Sequence, residues 1–228
     1  MRATLLSPIL SAFLLLAAAF APAHAQRAAL PGLTEGVEYK LIEGGKPYRA
    51  VPGKIEVAEV FAYGCPHCAK FAPMLETWKR NLPKNAQLVY TPAAFDTSDP
   101  YARFHFAAEA AKALPVLHSR LFAAIHETGE LTRAADLPQI AAWGARVSGV
   151  NAKALAAALK DSKALDAKMQ QAHDFAVRSD IPGTPALVID GRYLVLGNSY
   201  QRLLDNATRI LEAIAPAASK PAARQPAR

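Results

Sequence analysis

At 228 residues, with 52% hydrophobic and 20% charged side chains, the chain has the composition of one globular domain, or of one domain carrying a large insertion. That composition excludes a disordered, collagenous or disulfide-stapled miniprotein. The formal net charge of +7 invites a nucleic-acid partner, but Arg2, Lys220, Arg224 and Arg228 lie at the termini and the body has no Lys/Arg run and no nucleic-acid motif, so none is expected.

In chain order, the first feature is a leader. Arg2 supplies a short positive region, Leu10 to Phe20 is nearly all apolar, and Ala23-His24-Ala25 is a small-residue cleavage pattern. Residues 1–25 are expected to be a signal peptide cut after Ala25. An uncleaved anchor would need roughly 20 apolar residues, and Pro8 and Pro22 interrupt the run. An exported protein keeps its cysteines where disulfides persist, and a periplasmic location is the expectation.

Val37 to Ile42 reads as a short strand and Gly44-Gly45-Lys46-Pro47 as a turn. Ile55 to Tyr63, rich in β-branched and aromatic residues, is the most strand-like run, with Glu59 embedded in it. It leads through Gly64-Cys65-Pro66-His67-Cys68 into a helical pattern, Ala69 to Leu82, with Phe71, Leu75 and Trp78 at i, i+4 and i+7 and with Pro73 expected to kink it. Gln87 to Ala94 reads as a second strand. From Ser98 to Ser179 the chain is Ala-rich with helical spacing, and about five helices are expected between Tyr101 and Val177. Strand character returns at Ala186 to Asp190, Asp190-Gly191-Arg192 signals a hairpin into Tyr193 to Leu196, and Tyr200 to Ile214 closes as a helix. The expected organisation is an α/β unit in two parts, residues 26–97 and 180–215, interrupted by a helical insertion over 98–179 and followed by a disordered tail, 216–228.

The chain's two cysteines, Cys65 and Cys68, are too few for a disulfide framework. A bridge enclosing four residues restricts the unfolded chain by only about 2 kcal/mol before strain, so stabilisation is a weak reason for it. A zinc site lacks ligands, because there is no second CxxC and His105, His118, His126 and His173 are scattered over the helical stretch. No metal and no cofactor are expected. A redox role uses every neighbour. At a strand-to-helix junction Cys65 meets the unpaired N–H groups and positive dipole end of the helix, which favour a thiolate. Pro66 suits the first helical position, and His67 can offer an N–H or a positive charge to the sulfur. Cys65 is then the exposed nucleophile and Cys68, one turn inward, the buried resolving thiol. Ile181-Pro182-Gly183-Thr184-Pro185 precedes the returning strand, and Pro185 is a candidate for a cis peptide bond.

On these residues the chain resembles the DsbA family of periplasmic thiol:disulfide oxidoreductases. The likeness runs through Cys65-Pro66-His67-Cys68, the aromatics Phe61 and Tyr63, the helical insertion, Gly183-Thr184-Pro185-Ala186 and the Gly191-Arg192-Tyr193 hairpin. It implies an α/β thioredoxin fold with an inserted all-helical domain, a cis-proline facing the cysteines with Thr184 and Pro185 meeting substrate, and Glu59 as a buried supporting acid. It also implies oxidation of reduced or unfolded exported proteins, and re-oxidation by a DsbB-like quinone-linked membrane partner. A monomer is expected. Thr184 departs from the best-known oxidases, which carry valine there, and is closer to the isomerase branch. The Pro-His pair between the cysteines favours oxidation. The alternatives are a disulfide isomerase or reductase, and a periplasmic thiol-based metal-binding or chaperone protein. An isomerase is expected to carry a dimerisation domain before the thioredoxin unit, for which Gln26 to Glu56 is too short.

Overall fold

The computed structural model describes residues 29–215; the expected signal peptide with its cleavage site and the expected tail lie outside the described residues. A five-stranded sheet in the order β1-β5-β4-β2-β3 forms the centre. Its strands are β1 (Tyr39–Leu41), β2 (Ile55–Phe61), β3 (Ala86–Pro92), β4 (Ala186–Ile189) and β5 (Tyr193–Val195). β2 and β3 run parallel with Ile55 opposite Ala86, a pairing that needs a crossover, and α1 (Pro66–Lys79) is that crossover. The other pairings are antiparallel.

Between β3 and β4 come α2 (Pro100–Ala110), α3 (Leu114–His126), α4 (Leu137–Arg146), α5 (Ala152–Lys160) and α6 (Ser162–Arg178); α7 (Tyr200–Ile214) closes the chain. Short polar residues separate several of these helices by capping them. Asp99, Asn151 and Asp161 each accept a backbone N–H of the first turn, and Asp136 forms a reciprocal capping box with Gln139. The expected Ala69 to Leu82 helix begins three residues earlier, at Pro66, whose missing N–H is harmless there. It runs on through Pro73 to Lys79.

The period-two alternation of the strands divides the core between two faces. Val57, Leu187, Ile189, Tyr193 and Val195 pack with Phe71 and Leu75 of α1 and with Leu204, Ala207 and Ile210 of α7. On the other face Ala58, Val60, Ala186, Val188 and Leu194 share one core with Phe104, Leu117, Leu121, Ile140, Leu155 and Phe175 of the inserted helices. The insertion therefore serves as one covering layer of the sheet. At the β4–β5 turn Gly191 has φ +64°, and a Cβ there would stand 2.0 Å from the Lys46 carbonyl carbon, so only glycine lets the two backbones meet. Among the described residues no helix is long and apolar enough to cross a membrane.

Candidate functional site

β2 ends at Phe61 and delivers Cys65 to the N-cap of α1 in an extended conformation, φ −81° and ψ 117°. Ala69 N–H donates to the Cys65 carbonyl at 3.1 Å, closing the first turn. Unlike the capping residues of the insertion, Cys65 makes no side-chain cap bond in the ordinary sense. Its sulfur instead lies beside the free N–H groups of the first turn, where an anion is favoured.

The two cysteines are free thiols in contrasting surroundings. Cys65 is half-buried, and partial burial acts to raise its pKa. Hydrogen bonds from the Thr184 side chain, the Cys68 backbone and thiol and the His67 backbone outweigh that effect and hold the thiol below its ordinary range. Cys68 is fully buried, and burial pushes its thiol far up. One sulfur is thus held toward the thiolate and the other toward the protonated thiol.

The second wall comes from a segment more than a hundred residues away. α6 ends in a Schellman arrangement: Asp180 N–H donates to the Val177 carbonyl and Ile181 N–H to that of Ala176, with Asp180 at φ +48°. This reversal carries the chain into Pro182-Gly183-Thr184-Pro185, whose Thr184–Pro185 peptide bond is cis. The Cys65 thiol donates to the Thr184 carbonyl at 3.3 Å. The Cys65-Pro66-His67-Cys68 motif and the Thr184-Pro185 segment, far apart in the sequence, are therefore brought together through Cys65 and Thr184.

Glu59 lies on central β2 between Leu187 of β4 and Tyr90 of β3 and is fully buried. Neither carboxyl oxygen has a partner among the described residues. Burial first, then the Glu76 carboxylate, push its pKa up to about 8, against a smaller opposing effect of Lys79. A carboxyl in that position holds its proton at neutral pH.

Some residues read from the sequence only as parts of helices also reach the site. Tyr200, the first residue of α7, places its hydroxyl 3.0 Å from His67 Nδ1. Its ring lies 5.5 Å from that of Phe71 on α1. The scattered histidines also converge: His105 Nδ1 and His118 Nδ1 lie 3.1 and 2.8 Å from the Tyr63 hydroxyl, and His126 Nε2 lies 2.6 Å from the Tyr63 carbonyl. Spacing along α2 and α3 carries no sign of this convergence. The aromatic Tyr63 two residues before Cys65 was the only sequence signal near it. Among the described residues no cluster of three or more His, Cys, Asp or Glu forms a metal site.

Comparison with known proteins gives a consistent assignment. Residues 53–206 match the family model described as Thioredoxin. The thiol:disulfide interchange protein DsbA of Bordetella parapertussis is 37% identical over 154 residues, 65% of this chain and 71% of that protein. The protein of the same name from Pseudomonas syringae pv. tomato is 33% identical over 162 residues, 67% of this chain and 73% of its own. The crystal structure of the oxidoreductase DsbA from Xylella fastidiosa superposes with a TM-score of 0.73 at 31% identity, covering 81% of this chain and 97% of that one.

Proposed function

We propose, from the premise that this chain belongs to the DsbA family, that Cys65 is the sulfur that exchanges with substrate and leaves as a thiolate, and that Cys68 is the buried thiol that resolves a mixed disulfide whose transfer to substrate is not completed. As a member of that family the protein has a thioredoxin fold with an inserted helical unit and is a thiol:disulfide oxidoreductase that introduces disulfide bonds into other proteins. The observation that carries the assignment of roles is the contrast between the two sulfurs, Cys65 half-exposed with a lowered pKa and Cys68 buried with a raised one.

In the oxidised protein Cys65 and Cys68 share a disulfide. A substrate thiolate attacks Cys65 Sγ, forming a mixed disulfide and releasing Cys68, which takes up a proton because burial disfavours its thiolate. A second substrate thiolate then attacks the substrate sulfur of the mixed disulfide, and Cys65 leaves as a thiolate. Two electrons have passed from substrate to protein, and one substrate disulfide has formed. The first-turn N–H groups, the Pro66–His67 pair and Thr184 stabilise that leaving group, so the reduced state is favoured and the protein oxidises its substrates.

Thr184 and Pro185 form the surface on which the substrate segment lies beside Cys65, and Glu59 is the supporting acid behind the strand that delivers the motif. The substrates are reduced or unfolded exported proteins, and the protein works as a periplasmic monomer. A DsbB-like, quinone-linked membrane oxidoreductase accepts the two electrons and restores the disulfide. The leader-like N-terminus and the family likeness support this reading. Redox equilibrium with glutathione tests it. A potential near about −120 mV marks a strong dithiol oxidant, whereas one near about −270 mV marks a reductant and overturns the direction.

A further inference from the structure

His67 lies at the second position of α1 with its side chain exposed. An exposed imidazole on a helix surface samples several rotamers, and a charge that wanders stabilises a neighbouring thiolate less than one held in place. Here Nδ1 has a partner, the Tyr200 hydroxyl at 3.0 Å, from a residue 133 positions away.

Tyr200 is itself well anchored. It opens α7 immediately after Ser199, whose hydroxyl caps the helix by accepting the Arg202 N–H at 3.2 Å. Its ring lies tilted against the ring of Phe71, 5.5 Å between centroids, and Phe71 is fully buried on α1. Two helices on the same face of the sheet thus fix the hydroxyl, and the hydroxyl fixes the imidazole. Burial, followed by the nearby Cys65 and Cys68 sulfurs, raises the Tyr200 pKa, so the group stays an O–H able to donate to a neutral Nδ1 or accept from a protonated one.

We propose that Tyr200 is a positioning residue for His67, holding the imidazole where its positive form supports the Cys65 thiolate and making the protein more oxidising. This rests on Cys65 being the reactive sulfur. The direction follows from placement. The Tyr200 hydroxyl donates to a neutral Nδ1 and accepts from a protonated one, so it holds the ring in either state. A positive charge held in one place, two residues from the Cys65 sulfur, favours the reduced, thiolate form over the disulfide. The oxidised protein has no thiolate and gains less.

The experiment is a double-mutant cycle with Tyr200→Phe, His67→Ala and the double variant, read by equilibrium with glutathione and by the pH titration of thiolate ultraviolet absorbance. Phenylalanine keeps the ring on Phe71 and removes only the hydroxyl. Tyr200→Phe is expected to shift the glutathione equilibrium about three- to tenfold toward a less oxidising protein, tenfold being about 30 mV in a two-electron couple. The thiolate midpoint should move upward with it. In the His67→Ala background the same change should do nothing further. An equal shift in both backgrounds, or none in either, overturns the role. A second readout needs no variant: nitrogen NMR of the reduced wild-type protein should find one fixed His67 ring state with Nδ1 hydrogen-bonded, and a freely averaging ring overturns the proposal. These are differences between variants, so they stay readable even if the wild-type potential proves to be that of a reductant.

Discussion

The Tyr63 hydroxyl stands 2.8 Å from His118 Nδ1 and joins the loop before Cys65 to α3 of the insertion. It is also 3.1 Å from His105 Nδ1 on α2, and all three side chains are buried. Because His105 Nε2 is buried with no partner among the described residues, a proton there would be an orphaned donor. The proton belongs on Nδ1 instead. His105 Nδ1–H then donates to Tyr63, and Tyr63 O–H donates to His118 Nδ1, a one-way chain reaching the helix next to it. Burial accounts for most of the lowering of both histidine pKa values, His105 far below its ordinary value and His118 to about 3.

Tyr63→Phe should cost about 1–3 kcal/mol of stability, since two buried ring nitrogens lose their partner while the packing of the ring against Phe61 and Phe122 remains. Urea unfolding measures it. Unchanged stability would mean that the hydroxyl is dispensable at this junction.

Protonation of His105 and His118 should contribute to acid unfolding. Their folded pKa values lie below the unfolded value of 6.5, so the unfolded chain binds the extra protons. Their contribution is complete above pH 6.5 and falls as pH drops below it, for His118 toward about 3. Each such group gives a slope of about 1.4 kcal/mol per pH unit within its window. Replacing His118 with Gln should flatten the acid limb of stability against pH, and an identical slope in that variant would remove the histidine from the account.

Glu59 acts with the opposite sign. Its folded pKa of about 8 exceeds the unfolded value of 4.5. Its contribution is therefore complete below pH 4.5 and is lost as pH rises through about 8. In the oxidised protein, where the thiols do not titrate, Glu59→Gln should remove a decline in stability between pH 6 and 8 that the wild type shows. Melting curves across that range in both proteins decide it, and parallel curves would contradict the buried protonated acid.

Alkylation at neutral pH should label Cys65 quickly and Cys68 hardly at all, because only Cys65 combines exposure with a lowered pKa. Cys65→Ala should abolish oxidase activity. Cys68→Ala should retain a reactive sulfur that accumulates mixed disulfides. Fast labelling of Cys68 in the wild-type protein would reverse the assigned roles.

The two redox forms should respond differently to pH. A lowered Cys65 pKa stabilises the reduced fold fully above the unfolded thiol value near 8.5, and that contribution is lost as pH falls through the folded pKa. The oxidised form lacks this contribution and gains at most about 2 kcal/mol from its four-residue loop. The melting temperature of the reduced form relative to the oxidised form should therefore rise as pH climbs through the folded Cys65 value toward about 8.5. A difference independent of pH would leave Cys65 without a stabilised thiolate.

Much of this protein was legible along the chain, because the deciding information is local. The β-branched and aromatic run over Ile55–Phe61, the helical spacing between Tyr101 and Val177, and a Cys-Pro-His-Cys motif at a strand-to-helix junction each depend on residues within a few positions of one another. The three-residue difference at the start of α1 arose because an apolar pattern marks a helix only where side chains pack, whereas Pro66 and His67 begin it by backbone geometry. Tertiary structure alone decided what depends on distant segments meeting. The Thr184 carbonyl over Cys65, the Tyr200 hydroxyl on His67 and the convergence of His105 and His118 on Tyr63 join residues separated by 119, 133, 42 and 55 positions. No periodicity encodes such pairings: which side chains meet is set by how the insertion and α7 pack on opposite faces of one sheet, and burial then sets which of them hold a proton.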